Sequence, residues 1–339
     1  RRSGDVLLCL GLAPAMELGA DLVIEGAVSR ELLDNAGKIQ RLLCGWYPDF
    51  REIDIRADCA DPAYPADRGA GLFYSGGIDS SHSLKLLHGE IDALVTVIGA
   101  DADLSDTDRV AGLVAANREV SAHYGLEAIT ITTDIRHVSD RLVGWVEYHG
   151  AFLSAVHHLL ADRLHTQYIA ASGSTLILDI PWGSHPWLDP LYGTEGARIV
   201  HHSLADRFSK LESIVDEPAL MRHLRVCGRA EPNCGMCRKC GFVLHGLAAL
   251  DALDRAPTFD RGKLHGAPLA VYNDEVYIER LRDAAAGRDP GGETVRKADR
   301  ALRTYAAKRR LARLLPTQEW RRRFKRFKRK RRYRKAARS

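Results

Sequence analysis

Ten residues carry the densest chemistry in the chain: Leu72-Phe73-Tyr74-Ser75-Gly76-Gly77-Ile78-Asp79-Ser80-Ser81. An apolar run leads into a Gly-Gly turn, and His82-Ser83-Leu84-Lys85-Leu86-Leu87 then reads as a helix. Strand, glycine turn and helix start together build an anion site. Glycines let backbone N–H groups point inward, and the open helix N-terminus adds partial positive charge. The hydroxyls of Ser75, Ser80 and Ser81 are donors for phosphate oxygens, and Asp79 is suited to holding magnesium. A bare strand-to-helix turn carrying glycines is the plainer reading, because short motifs recur by chance. No Gly-Lys-Ser/Thr follows, so this is not a Walker A loop.

A second group is Cys227, Cys234, Cys237 and Cys240. Thiolates at two-residue gaps converge on one tetrahedral Zn²⁺ through a tight turn, at Zn–S distances near about 2.3 Å. Gly235 and Gly241 supply backbone freedom there. With four thiolates and no open position, the metal would be structural. Iron–sulfur ligation uses similar spacing and stays open. Cys9, Cys44 and Cys59 are too scattered to form a ligand set and read as structural.

Around these groups the chain reads as two parts. Residues 1–68 form a small α+β module, with strands expected at 6–12, 21–25 and 51–56 and a helix at 31–44 capped by Ser29. Residues 61–65, with two prolines, mark a linker. From residue 69 strands and helices alternate: strands at 71–74, 93–98, 128–132 and 168–171, helices through 87 and at 106–124 and 145–164. Such alternation predicts an α/β fold, a parallel sheet with helices on both faces. Ligands then sit beyond the carboxyl ends of the strands. The loops there carry Asp101 in an acidic stretch, Thr133-Asp134, and Ser172-Gly173-Ser174-Thr175, where small residues allow close backbone approach. Asp101 fits magnesium, a ribose or a substrate group, or simply caps the next helix.

Residues 176–215 read as an irregular, substrate-facing insertion rich in Pro, Gly and Trp. Arg207 and Lys210 lie near its end, before Leu211 and Ile214. Lys210 is either a site cation or part of a solvated helix face. His201 and His202 read as structural. A helix expected at 242–253, beside the cysteine knuckle of residues 227–240, closes the domain of residues 69–255; residues 256–317 are mostly helical, with helices expected at 274–286 and 294–315.

Net charge is +5, but residues 318–339 hold thirteen Lys/Arg and one Glu, so the other 317 residues carry −7. The tail is expected to be disordered until it meets an anionic partner: RNA, a membrane surface or an acidic protein. Trp320, Phe324 and Phe327 lie at helical spacing within it. No apolar run reaches the length of a membrane span. Glu17 and Asp21 interrupt the apolar start too early for a signal peptide, and without a leading Met the true N-terminus is expected upstream. Clustered cysteines point to a reducing, cytoplasmic setting.

The string Ser75-Gly76-Gly77-Ile78-Asp79-Ser80 resembles the pyrophosphate-loop signature of the ATP pyrophosphatase superfamily. Followed by Cys227, Cys234, Cys237 and Cys240, it is similar over residues 70–250 to the 7-cyano-7-deazaguanine synthases of the queuosine pathway. That resemblance implies a Rossmann-like sheet of the HUP type and binding of ATP and Mg²⁺. It assigns Ser75, Gly76, Gly77, Asp79 and Ser80 to the pyrophosphate loop and the four cysteines to Zn²⁺, with the Ser81 hydroxyl an added phosphate donor. Asp101, Ser172 and Gly173 are nucleotide or substrate contacts on the same basis, and Asp79 and Lys210 the catalytic pair. The activity implied is AMP-forming ligation: a carboxylate or carbonyl oxygen of a small molecule is adenylated, and ammonia or an amine displaces AMP. The long lead before the loop, the Trp/Pro-rich segment and the basic tail depart from the family and leave the substrate open. Two other readings stand beside it, a tRNA-modifying relative that grips RNA with the tail and a regulator that holds ATP without turnover. A homodimer is left open.

Overall fold

A computed structural model describes residues 3–314 apart from 101, 230, 231 and 273, together with the single position 327. The chain begins with helix α1 (Ser3–Leu18), strand β1 (Leu22–Val28), helix α2 (Arg30–Trp46) and strand β2 (Ile55–Cys59). β1 and β2 pair in parallel as a two-stranded sheet. The leading module is therefore a small βαβ unit preceded by a helix.

Residues 6–12, expected as a strand, lie inside α1. A short apolar run reads equally as a buried strand or a buried helix. Here Leu8, Leu12 and Met16 are fully buried against helix α6 (Trp145–Leu160) and β1, so polar residues need not interrupt the run. The strand expected at 51–56 starts only at Ile55. Ser29 precedes α2 but its side chain makes no cap. Its hydroxyl donates instead to Asp5 Oδ2 at 2.6 Å, and its amide to Asp5 Oδ1 at 2.7 Å, which ties α1 to the start of α2.

The larger sheet contains β3 (Gly69–Phe73), β4 (Ala93–Ile98), β5 (Glu127–Thr132), β6 (Leu164–Ala170) and β7 (Arg198–His202). Its order is β5-β4-β3-β6-β7, and every pairing is parallel. This is a Rossmann-like α/β sheet. β3 leads through α3 (Ile78–Leu87) to β4, and β4 through α4 (Thr107–Tyr124) to β5. After the short α5 (Arg136–Leu142) and α6 the chain crosses to β6, on the other side of β3. The direction of winding therefore reverses between β3 and β6, where such sheets open a crevice.

Alternation along each strand sorts two cores. Leu72 and Leu94 face a cluster with α3, α4, α7 (Arg207–Ile214), α8 (Pro218–Arg222), α9 (Arg238–Ala249), α10 (Val276–Arg288) and α11 (Glu293–Leu314). Phe73 and Val95 face the other cluster, with α1, α2 and α6. Helices thus cover both faces. β7 falls in the stretch expected to be irregular, and it supplies an edge strand there.

Candidate anion site and four-cysteine cluster

The loop leaves β3 at Tyr74, whose amide donates to Val95 O and whose carbonyl accepts from Thr96 Oγ1. Both bonds pin the strand end to β4. Gly76 then takes a left-handed φ of 72°, which a side chain resists. A Cβ at Gly76 would also approach the Arg225 side chain and His223 O, at 3.4 and 3.5 Å. Gly77 is the N-cap of α3, and no side chain caps that helix. The first-turn N–H groups therefore keep their capacity to meet an anion. Ser80 is buried, donates to Gly77 O at 3.2 Å and accepts from Ser75 N at 3.3 Å. The Ser75 and Ser80 hydroxyls lie 3.3 Å apart, and Ser75 itself is exposed. Ser81 is fully buried beneath the loop, so it supports the turn and does not face the crevice.

Asp79 sits in the first turn of α3, its side chain about a quarter exposed. Lys210 Nζ donates to Asp79 Oδ1 at 3.1 Å, and Arg207 Nη2 lies 3.6 Å from Oδ2. Burial alone would push the Asp79 carboxyl up. Lys210 and Arg207, with Lys239 contributing, outweigh it and hold the group below the usual carboxylate range. Lys210 is not on a solvated face: it is 1% exposed. Its ammonium also donates to Ala171 O at the end of β6, while Arg207 Nη2 donates to Ser172 O at 2.9 Å. The two cations thus bridge the loop after β3 and the loop after β6, across the crevice. Asp206 sets their geometry by capping α7 through the amides of Phe208 and Ser209.

Ser172 is exposed at this rim, whereas Gly173 is buried and packs on Ile177, whose Cγ2 would meet a Cβ at 2.4 Å. Gly173 serves the turn. Asp101 lies outside the described residues. In the same loop Asp106 caps α4 through the Arg109 amide, and Asp103 accepts from Ser105 N and Oγ. Both carboxylates serve local turns, which leaves Asp79 as the carboxylate in the crevice among the described residues named here.

Arg225 was not foreseen. Its amide donates to Gly76 O at 2.9 Å, and its side chain flanks a small void lined by Ser75, Gly76, Thr96 and Asn117. Burial first, then the charge of Arg109, lowers its pKa to about 10. The segment 223–227 lies across the loop, and Arg109 Nη2 fixes it by donating to Cys227 O at 3.1 Å. Nothing in the spacing of Arg225 pointed there. Its position follows from the cysteine cluster two residues on.

The four sulfurs all lie within 4.8 Å of one another. Cys237 and Cys240 are separated by 3.4 Å, Cys234 and Cys240 by 3.9 Å, and Cys237 and Cys227 by 4.0 Å. Ligands about 2.3 Å from a tetrahedral centre stand roughly 3.8 Å apart, so the donor set fits one metal ion. None of these sulfurs is in a disulfide. Burial, then the neighbouring Cys237, pushes the Cys240 thiol well up, so crowding disfavours thiolates unless a cation joins them. The Cys237 sulfur accepts from Cys240 N as the N-cap of α9.

The basic tail expected to meet an anionic partner, with Trp320 and Phe324, lies outside the described residues; only Phe327 is described, helical and exposed. No described helix is long and apolar enough to cross a membrane. No family model, no curated protein and no solved structure matches the chain.

Proposed function

We propose that the chain is an ATP-dependent adenylating enzyme of the pyrophosphate-loop type, releasing pyrophosphate and activating a carboxylate or carbonyl oxygen for attack by ammonia or an amine. One observation carries the reading. The Ser-Gly-Gly-Ile-Asp-Ser turn lies at an uncapped helix start, at the point where the sheet reverses, and Lys210 and Arg207 span the same crevice. Loop amides, Ser75 and the two cations are donors for charge developing on a leaving pyrophosphate. The substrate oxygen would attack the α-phosphorus while these groups hold the departing oxygens. Asp79 is the residue that would hold magnesium, which supplies charge neutralisation on the phosphates. The cysteine cluster is read as a structural zinc site, a staple rather than a reagent. The parallel order β5-β4-β3-β6-β7, with helices on both faces, supports reading the sheet as of the HUP type.

ATP–pyrophosphate exchange, screened across small carboxylic acids, tests the reading. Exchange is expected with the native chain and a loss of about 100-fold or more in Asp79→Asn, the size of a removed transition-state contact. An Asp79→Asn protein that exchanges at the native rate would sink the loop assignment. ATP binding with no exchange for any acid would favour a regulator that holds nucleotide.

A further inference from the structure

Two non-glycine residues among those described have a left-handed backbone, Ser203 at φ 63° and Asp251 at φ 57°. Such conformations cost energy in a side-chain-bearing residue and concentrate at functional sites. Ser203 directly follows β7, so it lies at the carboxyl end of the sheet's edge strand, next to β6. Its hydroxyl is 2.9 Å from His82 Nε2. His82 lies three residues after Asp79 on α3, and Arg207 and Lys210, which hold Asp79, follow Ser203 in the chain. The pair is therefore built from the same two segments as the anion site.

The hydrogen bonds fix the direction of the proton. Ser213 Oγ donates to Lys210 O at 2.7 Å, so its single proton is committed. It must then accept from the other nitrogen of His82, Nδ1, at 2.6 Å. With Nδ1 carrying the proton, Nε2 is the acceptor, and the Ser203 hydroxyl donates to it. A serine hydroxyl aimed at an imidazole lone pair, with the imidazole oriented by a third group, is the arrangement of an activated nucleophile. Ser213 replaces a carboxylate as the orienting group. Burial, then the charge of Lys210, keeps His82 neutral down to about pH 4, so the lone pair is present at neutral pH. Phosphate against Lys210 would offset that charge and strengthen the base when nucleotide is bound.

We infer that Ser203 is a nucleophile activated by His82, and that it receives the acyl group from the adenylate before the nitrogen donor arrives. The acyl donor rests on the adenylation reading above; the nucleophile itself does not. Ser203 Oγ bonds to the acyl carbon while the bond from that carbon to the AMP oxygen breaks, and AMP departs with the electron pair. The hydroxyl proton passes to His82 Nε2. Ammonia or an amine then attacks the ester, the carbon–Oγ bond breaks, His82 returns its proton to Oγ, and the excess proton on nitrogen goes to solvent.

A fluorophosphonate reports such a serine without any substrate. Incubated with the full chain, it is expected to phosphonylate Ser203, located by peptide mass spectrometry. His82→Gln is expected to slow labelling on the order of 100-fold. Ser203→Gly, whose glycine accepts the left-handed backbone, is expected to take no label at 203 while keeping the native circular-dichroism spectrum. A folded native chain whose Ser203 stays unmodified overturns the proposal, as does a His82→Gln protein labelled there at the native rate. Labelling needs no ATP, so its failure leaves adenylation standing, and absence of exchange in the native chain removes the acyl donor and not the nucleophile.

Discussion

Asp79 has two carboxylate oxygens and faces a cation with each, Lys210 at 3.1 Å and Arg207 at 3.6 Å. Removing Lys210 leaves a largely buried charge with the weaker partner alone. Lys210→Met is expected to cost on the order of 1–3 kcal/mol, less than a fully buried pair because Asp79 keeps some solvent. Urea unfolding measures it, and a midpoint unchanged from the native chain would contradict the pairing. Acid resistance should show two stages. His82 has its pKa lowered from 6.5 to about 4 by burial and then by Lys210, so the unfolded chain binds the extra proton. Its contribution is full above pH 6.5, falls as pH drops towards 4, and is worth about 1.4 kcal/mol per pKa unit. Asp79, held below 3.8 against its own burial penalty by Lys210 and Arg207, contributes above that value and loses its share only at lower pH. In His82→Gln the first stage should shrink while the second persists, as read by unfolding free energy against pH. Asp79 and the four cysteines were legible in the sequence because each sits in a short string whose spacing constrains geometry. Arg225, Ser203 and Ser213 were not, because the fold, not the spacing, brings Arg225 onto Gly76 and the two serines onto His82.

Elements show the same division. The continuous apolar run of β4 and the capped α4 read directly as a buried strand and a helix. β7 was hidden because its histidines face two different neighbours: His201 bonds Asp189 Oδ2 at 2.7 Å on one side and His202 bonds Ser83 Oγ at 2.9 Å on the other. Both faces are half polar, so no hydrophobic alternation marks the strand. The turn after β4 offers a sharp test. Gly99 has φ 96°, and a Cβ there would stand 1.8 Å from Thr133 O. Gly99→Ala should destabilise the fold by about 2 kcal/mol or more, since backbone must move. A thermal midpoint within a degree of native would refute that. The cysteine cluster is linked to the loop by one short segment, Arg225 on Gly76 and Cys227 on Arg109. Cys237→Ser is therefore expected to lower bound metal and to weaken hydrogen-exchange protection at the Arg225 amide. Lost metal with unchanged protection would mean the two sites are independent.

At the scale of the molecule, two cores share one sheet, and the site lies where their boundary meets the carboxyl ends of β3 and β6. The parallel sheet was legible because each strand recurs at the βα period; the packing of the leading unit was not, because α1 finds its partner far along the chain. That pairing also carries a cost in time. The apolar surface of α1, with Leu8, Leu12 and Met16, is covered by α6, whose first residue lies about 127 positions beyond the last of α1. At roughly 5–20 residues per second, a ribosome needs roughly 6–25 s to make that stretch. Through that interval the nascent chain shows a greasy helix that β1 covers in part and whose partner α6 does not yet exist. Trigger-type chaperones should crosslink to α1 on ribosomes stalled before residue 145 and release it on those stalled well past 160, once α6 has cleared the exit tunnel.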